Sequence, residues 1–171
     1  GLQSVQVPNP PAFAGATRAV WTSGSTGSPL HCLVSALADH MSNLVLQRFY
    51  RWWGVDPSLD LINITLDRAG YRDRPTVETL QGWHPADARG KYHRLTVNTG
   101  LDAQLDRIVE LKPAYMKTFA THLGALAARA KERGLDISFK LIFSGGGPLS
   151  DDERALALEV FKCRVADIYG C

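Results

Sequence analysis

The stretch with the clearest chemical capacity is a loop rich in hydroxyl groups at residues 22–29. Five hydroxyl residues and two glycines occur there together, in the order Thr22, Ser23, Gly24, Ser25, Thr26, Gly27, Ser28 and Pro29. Glycines let the backbone bring its N–H groups close to an anion, and hydroxyl groups add rotatable donors. The loop has neither the Lys-Ser/Thr ending of a Walker loop nor the GxGxxG spacing. Its composition leaves two interpretations open, an anion-binding loop and a flexible turn.

The elements around this loop favour anion binding. The pattern predicts an extended lead-in at residues 1–18 and a folded domain over residues 19–171, which opens with a short strand at Ala19–Trp21. After the loop, apolar residues at helical spacing predict an amphipathic helix from Leu33 to about Gly54. Alternating residues predict the next strand at Leu61–Leu66. The many hydroxyl groups, with a strand before the loop and a helix after it, therefore favour an anion-binding loop over a flexible turn.

The second half of the chain predicts alternating helices and strands. The predicted elements are a strand at Tyr92–Val97, a helix at Asp102–Lys112, a second helix opened by Pro113, a strand at Ile137–Phe143, a turn at Ser144–Pro148, a helix from Ser150 to about Lys162 and a strand at Arg164–Tyr169. Ser150 and Glu153 have the spacing of a capping box. This alternation predicts an α/β fold with a mainly parallel sheet and helices on both faces, and a ligand at the carboxyl ends of the strands.

Composition excludes several other classes. The chain has 171 residues, 45% hydrophobic and 21% charged, which is typical of a globular protein. A net charge of +2 gives no reason to expect nucleic acid or a membrane as partner. No apolar run is long enough for a transmembrane helix. Three widely spaced cysteines do not form a disulfide framework, so we expect a cytoplasmic protein.

Three motifs in order resemble the adenylate-forming enzymes, which include acyl- and aryl-CoA synthetases, luciferases and the adenylation domains of peptide synthetases. The loop Thr22–Pro29 resembles their phosphate-loop signature, Ser144–Ser150 resembles the loop beside the adenine ring, and Asp167-Ile168-Tyr169-Gly170 resembles their aromatic signature. The stretch LKPAYMKTFATHLGALAARAKERG further resembles the branch of phenylacetate–CoA ligase and its capsule-biosynthesis relatives. The chain would then be part of the large domain of such an enzyme.

The resemblance implies an activity and a set of site residues. A carboxylic acid, aryl if the branch holds, would be activated by ATP as an acyl-adenylate, and a thiol such as coenzyme A would take the acyl group. Mg²⁺ would assist in the intact protein, and a homodimer is compatible with the resemblance. The implied nucleotide-binding residues are Thr22, Ser23, Gly24, Ser25, Thr26, Gly27, Gly145, Gly146, Gly147, Pro148, Asp167, Tyr169 and Gly170. No metal-ligating residue is predicted within the chain itself.

The sequence departs from the family pattern in three respects. Leu30 stands where many relatives have lysine, and Gly147 stands where many have alanine or glutamate. The Mg²⁺-binding glutamate, the ribose-binding aspartate and the catalytic lysine of the small carboxy-terminal domain do not occur after Gly170. We therefore expect a fragment that is inactive alone. A nucleotide-binding module that has lost its chemistry, and an interaction domain whose glycine loops are simple turns, remain alternatives.

Other polar and aromatic residues give weaker predictions. The five histidines form no HxxxH or HExxH pair, so a histidine metal site is not expected. His84 and His93 are candidates for the acyl pocket, whereas His122 is expected on the surface. Core packing is the favoured interpretation for Trp52 and Trp53. Asp151, Asp152 and Glu153 are explained by helix capping, and no base near Cys163 or Cys171 would activate a thiolate.

Overall fold

The structure is a computed structural model that describes residues 10–21, 31–66, 78–85 and 87–168. The phosphate-type loop and the residues from Tyr169 onwards lie outside the described residues. The chain divides into two compact units, Gly1–Val55 and Asp56–Cys171. None of the described helices combines the length and apolar character that a membrane span needs.

The first unit contains an antiparallel strand pair and one long helix. A short 3₁₀ helix at Ala12–Ala14 precedes strand β1, Thr17–Trp21, which pairs with β2, His31–Ser35, and helix α1 follows at Ala36–Trp52. The Ser35 hydroxyl caps α1 by accepting a hydrogen bond from the backbone N–H of Ala38. The helix therefore begins three residues later than predicted, because Leu33 and its neighbours pair with β1 instead. Residues 22–30 connect two paired strands, not a strand and a helix.

The second unit is built on a six-stranded sheet. Its strands are β3 (Leu61–Thr65), β4 (Glu78–Gln81), β5 (Lys91–Thr96), β6 (Tyr115–Phe119), β7 (Leu141–Gly145) and β8 (Arg164–Ile168). The spatial order is β4-β5-β3-β6-β7-β8, and every neighbouring pair is parallel except β4 with β5. The predicted α/β class and mainly parallel sheet are confirmed.

One face of this sheet carries the core of the unit. The buried side chains of Ile62, Met116, Ile142 and Val165 lie on it, one from each of four neighbouring strands. Helices α2 (Leu101–Leu111), α3 (Ala120–Glu132) and α4 (Asp151–Phe161) pack their apolar sides against this face. Burial of these side chains supplies the main driving force for the unit, at roughly 1.5–3 kcal/mol for each fully buried large aliphatic side chain.

The stretch after Pro113 differs most from the prediction. Lys112 adopts a left-handed conformation with φ of 47° and ends α2, and the chain then enters β6. The second helix, predicted to open at Pro113, begins only at Ala120, as α3. Strand β6 lies between β3 and β7, where both of its edges are hydrogen-bonded. Tertiary pairing thus overrides a local sequence that also suits a helix. The strand predicted at Ile137–Phe143 is shifted to Leu141–Gly145, and β4 was not predicted.

Candidate nucleotide-binding site

A cavity of about 390 Å³ opens at the carboxyl ends of four parallel strands in the second unit. It is lined by residues 63–65 of β3, 117–119 of β6, 144–146 at the end of β7, and Ile168 of β8. The carboxyl edge of a parallel sheet is the usual ligand position in open α/β folds, and the volume lies within the range of small-molecule sites. The sequence predicted a ligand at this edge, and this cavity lies there.

The wall formed by Gly145 and Gly146 requires glycine at position 146 and leaves little room for a side chain at position 145. Gly146 has φ of +76°, and a Cβ atom on it would lie 2.6 Å from Cδ1 of Phe119. A Cβ atom on Gly145 would lie 3.1 Å from the carbonyl oxygen of Ile168. The backbone at these glycines therefore packs directly against two other residues that line the cavity. This is the arrangement needed when a main chain, and not a side chain, is to face a flat ligand.

The remainder of the predicted adenine loop leads into a firmly capped helix. Among the described residues, none comes within 4 Å of a Cβ atom placed on Gly147, so the side chains found there in many relatives have room. Gly147 and Pro148 do not line the cavity. The Ser150 hydroxyl accepts from the N–H of Glu153, whose carboxylate accepts from the N–H of Ser150. The predicted capping box is confirmed, and it anchors the loop at its far end.

Two buried hydroxyl groups belong to residues that line the cavity. Thr118 and Ser144 are register partners in β6 and β7, and their side chains are 5% and 1% exposed. Neither hydroxyl oxygen has a hydrogen-bond partner among the described residues. Burying a hydroxyl group without a hydrogen-bond partner lowers the stability of the folded protein. Both hydroxyl groups therefore have unused hydrogen-bonding capacity at this edge of the sheet.

Lys117 is the charged group of the cavity. It follows Met116 in β6, pairs in register with Asn63 of β3, and is half-buried. Burial lowers the pKa of its ammonium group, and no charged neighbour among the described residues offsets that effect. Asn63 donates its side-chain amide to the hydroxyl of Tyr92 at 2.6 Å. Lys117 was not predicted as a site residue because this stretch was predicted to be helical. Its local sequence is ambiguous, and pairing with β3 and β7 makes it a strand.

Asp167 lies beside the cavity without lining it. Its carboxylate is 3.7 Å from the guanidinium of Arg154, which also donates to the carbonyl of Val165 at 2.9 Å. Both side chains of the ion pair are partly exposed. The structure thus brings Gly145 and Gly146 to the cavity wall and leaves Asp167 one residue from Ile168. Thr22 to Gly27, Tyr169 and Gly170 lie outside the described residues.

The histidine candidates are held by other side chains. His93 is 2% exposed and lies between the hydroxyl of Thr79 at 2.9 Å and the carboxylate of Asp60 at 3.4 Å. Neither His93 nor His84 lines the cavity. His122, predicted to be on the surface, is half-buried and bonded at 2.7 Å to the buried side chain of Gln104. The described residues contain no group of three metal-ligating side chains.

The aromatic residues are partly as expected. Trp83 donates its indole N–H to the carbonyl of Leu59 at 2.7 Å and packs against Tyr115, as a structural residue does. Trp52 was expected in the core but is 71% exposed, and the guanidinium of Arg48 lies 4.6 Å from its ring centre.

Cys163 is a buried free thiol. Burial raises the pKa of this thiol to about 11, in agreement with a non-nucleophilic role.

Comparison with solved structures identifies the fold. A 2-hydroxyisobutyryl-CoA ligase in complex with 2-HIB-AMP and CoA matches 90% of this chain and 33% of its own, with 16% identity and a TM-score of 0.65. The luciferase-like enzyme from the nonluminescent mealworm Zophobas morio matches 89% of this chain and 33% of its own, with 18% identity and a TM-score of 0.55. An ATP-bound RpMatB-BxBclM chimera matches 89% of this chain and 28% of its own, with 20% identity and a TM-score of 0.58.

The class defined by these matches is the α/β fold of the adenylate-forming enzymes. No protein-family model matches the chain, and no curated protein matches it. The chain spans about a third of the length of the solved structures it resembles.

Proposed function

We propose that this chain is part of the large, nucleotide-binding domain of an adenylate-forming acid–thiol ligase. The observation that carries the proposal is the wall of the cavity: Gly145 and Gly146, which the sequence motif assigns to the adenine loop, line a cavity of about 390 Å³ at the carboxyl edge of the sheet. Two of the solved structures with this fold hold an acyl-AMP with CoA, or ATP.

The proposed reaction has two steps. An oxygen of the substrate carboxylate attacks the α-phosphorus of ATP, the bond between that phosphorus and the bridging oxygen breaks, and pyrophosphate leaves. The sulfur of a thiol such as coenzyme A then attacks the acyl carbon, AMP leaves with the bonding electrons, and the thiol proton passes to solvent. Because charge builds up on phosphate oxygens, positioned donors and Mg²⁺ lower the barrier.

The residues take the roles that the motifs imply. Thr22 to Gly27 hold the β- and γ-phosphates, Gly145 to Pro148 lie along the adenine edge, and Tyr169 stacks on its face beside Asp167 and Gly170. The acyl group enters the cavity, where the ring of Phe119 offers an aromatic surface to an aryl acid. An aryl substrate, the phenylacetate–CoA ligase branch, Mg²⁺, a cytoplasmic location and a homodimer belong to the same proposal.

The decisive experiment is acid-dependent exchange of pyrophosphate into ATP by the protein in its full natural length. We expect exchange that depends on an added carboxylic acid, with aryl acids as the best substrates. In parallel, AMP and ATP should raise the unfolding temperature of this chain. Stabilisation by nucleotide without exchange for any acid would favour a non-catalytic nucleotide-binding module, to which Leu30 at a position that is lysine in many relatives also points. Absence of both would overturn the proposal.

A further inference from the structure

Lys117 differs from the other described lysines in its environment. The other five, Lys91, Lys112, Lys131, Lys140 and Lys162, are exposed. Lys117 is half-buried within the sheet, lines the cavity, and is the one charged side chain among the described residues that do so. No carboxylate of the described residues lies within ion-pair distance of its ammonium group.

The position is costly for a cation. Removing an ammonium group from water without a partner lowers stability, so such a group is either paired or neutral in most proteins. The neighbouring strands offer the side chains of Asn63 and Phe143 in register with Lys117. Of these, Asn63 donates its amide N–H to Tyr92, and its amide oxygen can accept a hydrogen bond but carries no negative charge to offset the cation. A ligand with a negative charge would offset the cost, and the opening of the cavity gives it access.

We propose that Lys117 determines substrate specificity by binding a second anionic group of the carboxylic acid, so that the enzyme favours acids with two carboxylates over the matched monoacids. This inference rests on the proposed function, because it assigns the acyl moiety to the cavity. The rest of the wall is mixed and uncharged. Phe119 and Ile168 offer apolar contact to the body of such a substrate, and the lining also includes the polar residues Asn63, Thr65, Thr118 and Ser144. Lys117 is the single charge among them. A single cation in a cavity whose other described lining residues are uncharged selects among ligands by charge.

The test is pyrophosphate exchange with matched pairs of acids, using the full-length protein. The pairs are phenylacetate with its carboxylated derivatives, benzoate with the phthalate isomers, and butyrate with succinate. Lys117→Met keeps the length of the side chain and removes the charge; Lys91→Met removes an exposed lysine from another strand of the same sheet and serves as the control. For the preferred diacid we expect Lys117→Met to raise KM by about 30-fold or more, as when one partner of a desolvated charge pair is lost. KM for the matched monoacid should stay unchanged, and Lys91→Met should alter neither.

Each other outcome overturns the inference in a recognisable way. Equal losses for monoacids and diacids would mean that Lys117 acts on the reacting carboxylate or on the nucleotide. Unchanged kinetics with a preference for monoacids would leave the proposed function intact and remove the role of Lys117. A marked fall in the unfolding temperature of Lys117→Met would mean that the lysine pairs with a carboxylate of the chain itself. No exchange for any acid, with a folded protein, would overturn the proposed function and the inference together.

Discussion

The ring of Phe119 occupies the space that a side chain at position 146 would need. Its Cδ1 atom lies 2.6 Å from the Cβ position of Gly146, which also has a positive φ of 76°. The two residues come from β6 and from the end of β7, and together they form one corner of the cavity. Gly146 is therefore required for the packing of this corner, in addition to its proposed contact with a ligand.

Gly146→Ala should be strongly destabilising. An alanine there would have to adopt a left-handed conformation and displace the Phe119 ring, and we expect a loss of at least about 2 kcal/mol in the free energy of unfolding. Urea denaturation measures this directly. Gly147→Ala is the matched control, because its Cβ meets open space among the described residues. It should leave stability unchanged or raise it by up to about 1 kcal/mol. Equal effects of the two substitutions would contradict the observed packing.

The fold was largely predictable, for reasons visible in particular elements. Alternating residues in 61–65 and the Ser150–Glu153 capping box are local signals, and the structure confirms both. The strand Tyr115–Phe119 was missed because its pattern is ambiguous by itself, and pairing with β3 and β7 decides its conformation. This error also concealed Lys117 and Thr118. The part of the candidate site that consists of glycine backbone was thus predicted from the sequence motif. The side chains of Lys117 and Thr118 were missed, because only strand pairing brings them to the edge of the sheet.

Ser150→Ala should weaken the start of α4. The Ser150 hydroxyl satisfies an otherwise free N–H group at the helix terminus, and loss of such a cap costs about 1 kcal/mol. Ser150→Thr keeps the oxygen and should lie within a few tenths of a kcal/mol of the wild type. Chemical denaturation of the three proteins tests this. If Ser150→Thr is as unstable as Ser150→Ala, the hydroxyl acceptor is not what stabilises the helix.

His122 should make the protein less stable as the pH falls below neutrality. Burial lowers the pKa of His122 below its ordinary 6.5, so the unfolded chain binds the proton more readily than the folded one. The stabilisation that comes from keeping His122 neutral is complete above pH 6.5, and it is lost as the pH falls towards the pKa of His122 in the folded protein. The Gln104 amide group donates to the carbonyls of Thr96 and Thr99, which leaves its oxygen to accept from Nε2–H of neutral His122.

Urea denaturation between pH 7.5 and pH 5 tests this role. His122→Gln preserves a donor for Gln104 and has no titrating group, so its free energy of unfolding should fall less steeply with decreasing pH than that of the wild type. Burial also lowers the pKa of His84, so part of the slope should remain in the variant. An identical slope for both proteins would exclude His122 as a source of the pH dependence.

Cys163 should be inert towards alkylating reagents in the folded protein. Its thiol is buried and its pKa is raised to about 11, so the reactive thiolate is scarce at neutral pH. Brief treatment with iodoacetamide at pH 7.5, followed by mass spectrometry of the peptides, should leave Cys163 unmodified. The same treatment in denaturant should modify it fully. Rapid labelling under native conditions would mean that the interface of β8 with the helices opens readily.

Asp167→Ala should separate a role in nucleotide binding from a role in stability. The ion pair of Asp167 with Arg154 is partly exposed, so its loss should cost no more than about 1 kcal/mol. The proposed function makes Asp167 one of the nucleotide-binding residues. AMP affinity, measured by calorimetry, should then fall by about tenfold, the equivalent of one net hydrogen bond. Asp167→Asn keeps an acceptor oxygen and should retain most of the affinity. Unchanged AMP affinity in Asp167→Ala would confine Asp167 to its contact with Arg154, and the proposed adenine site would then depend on the Gly145–Pro148 loop and Tyr169.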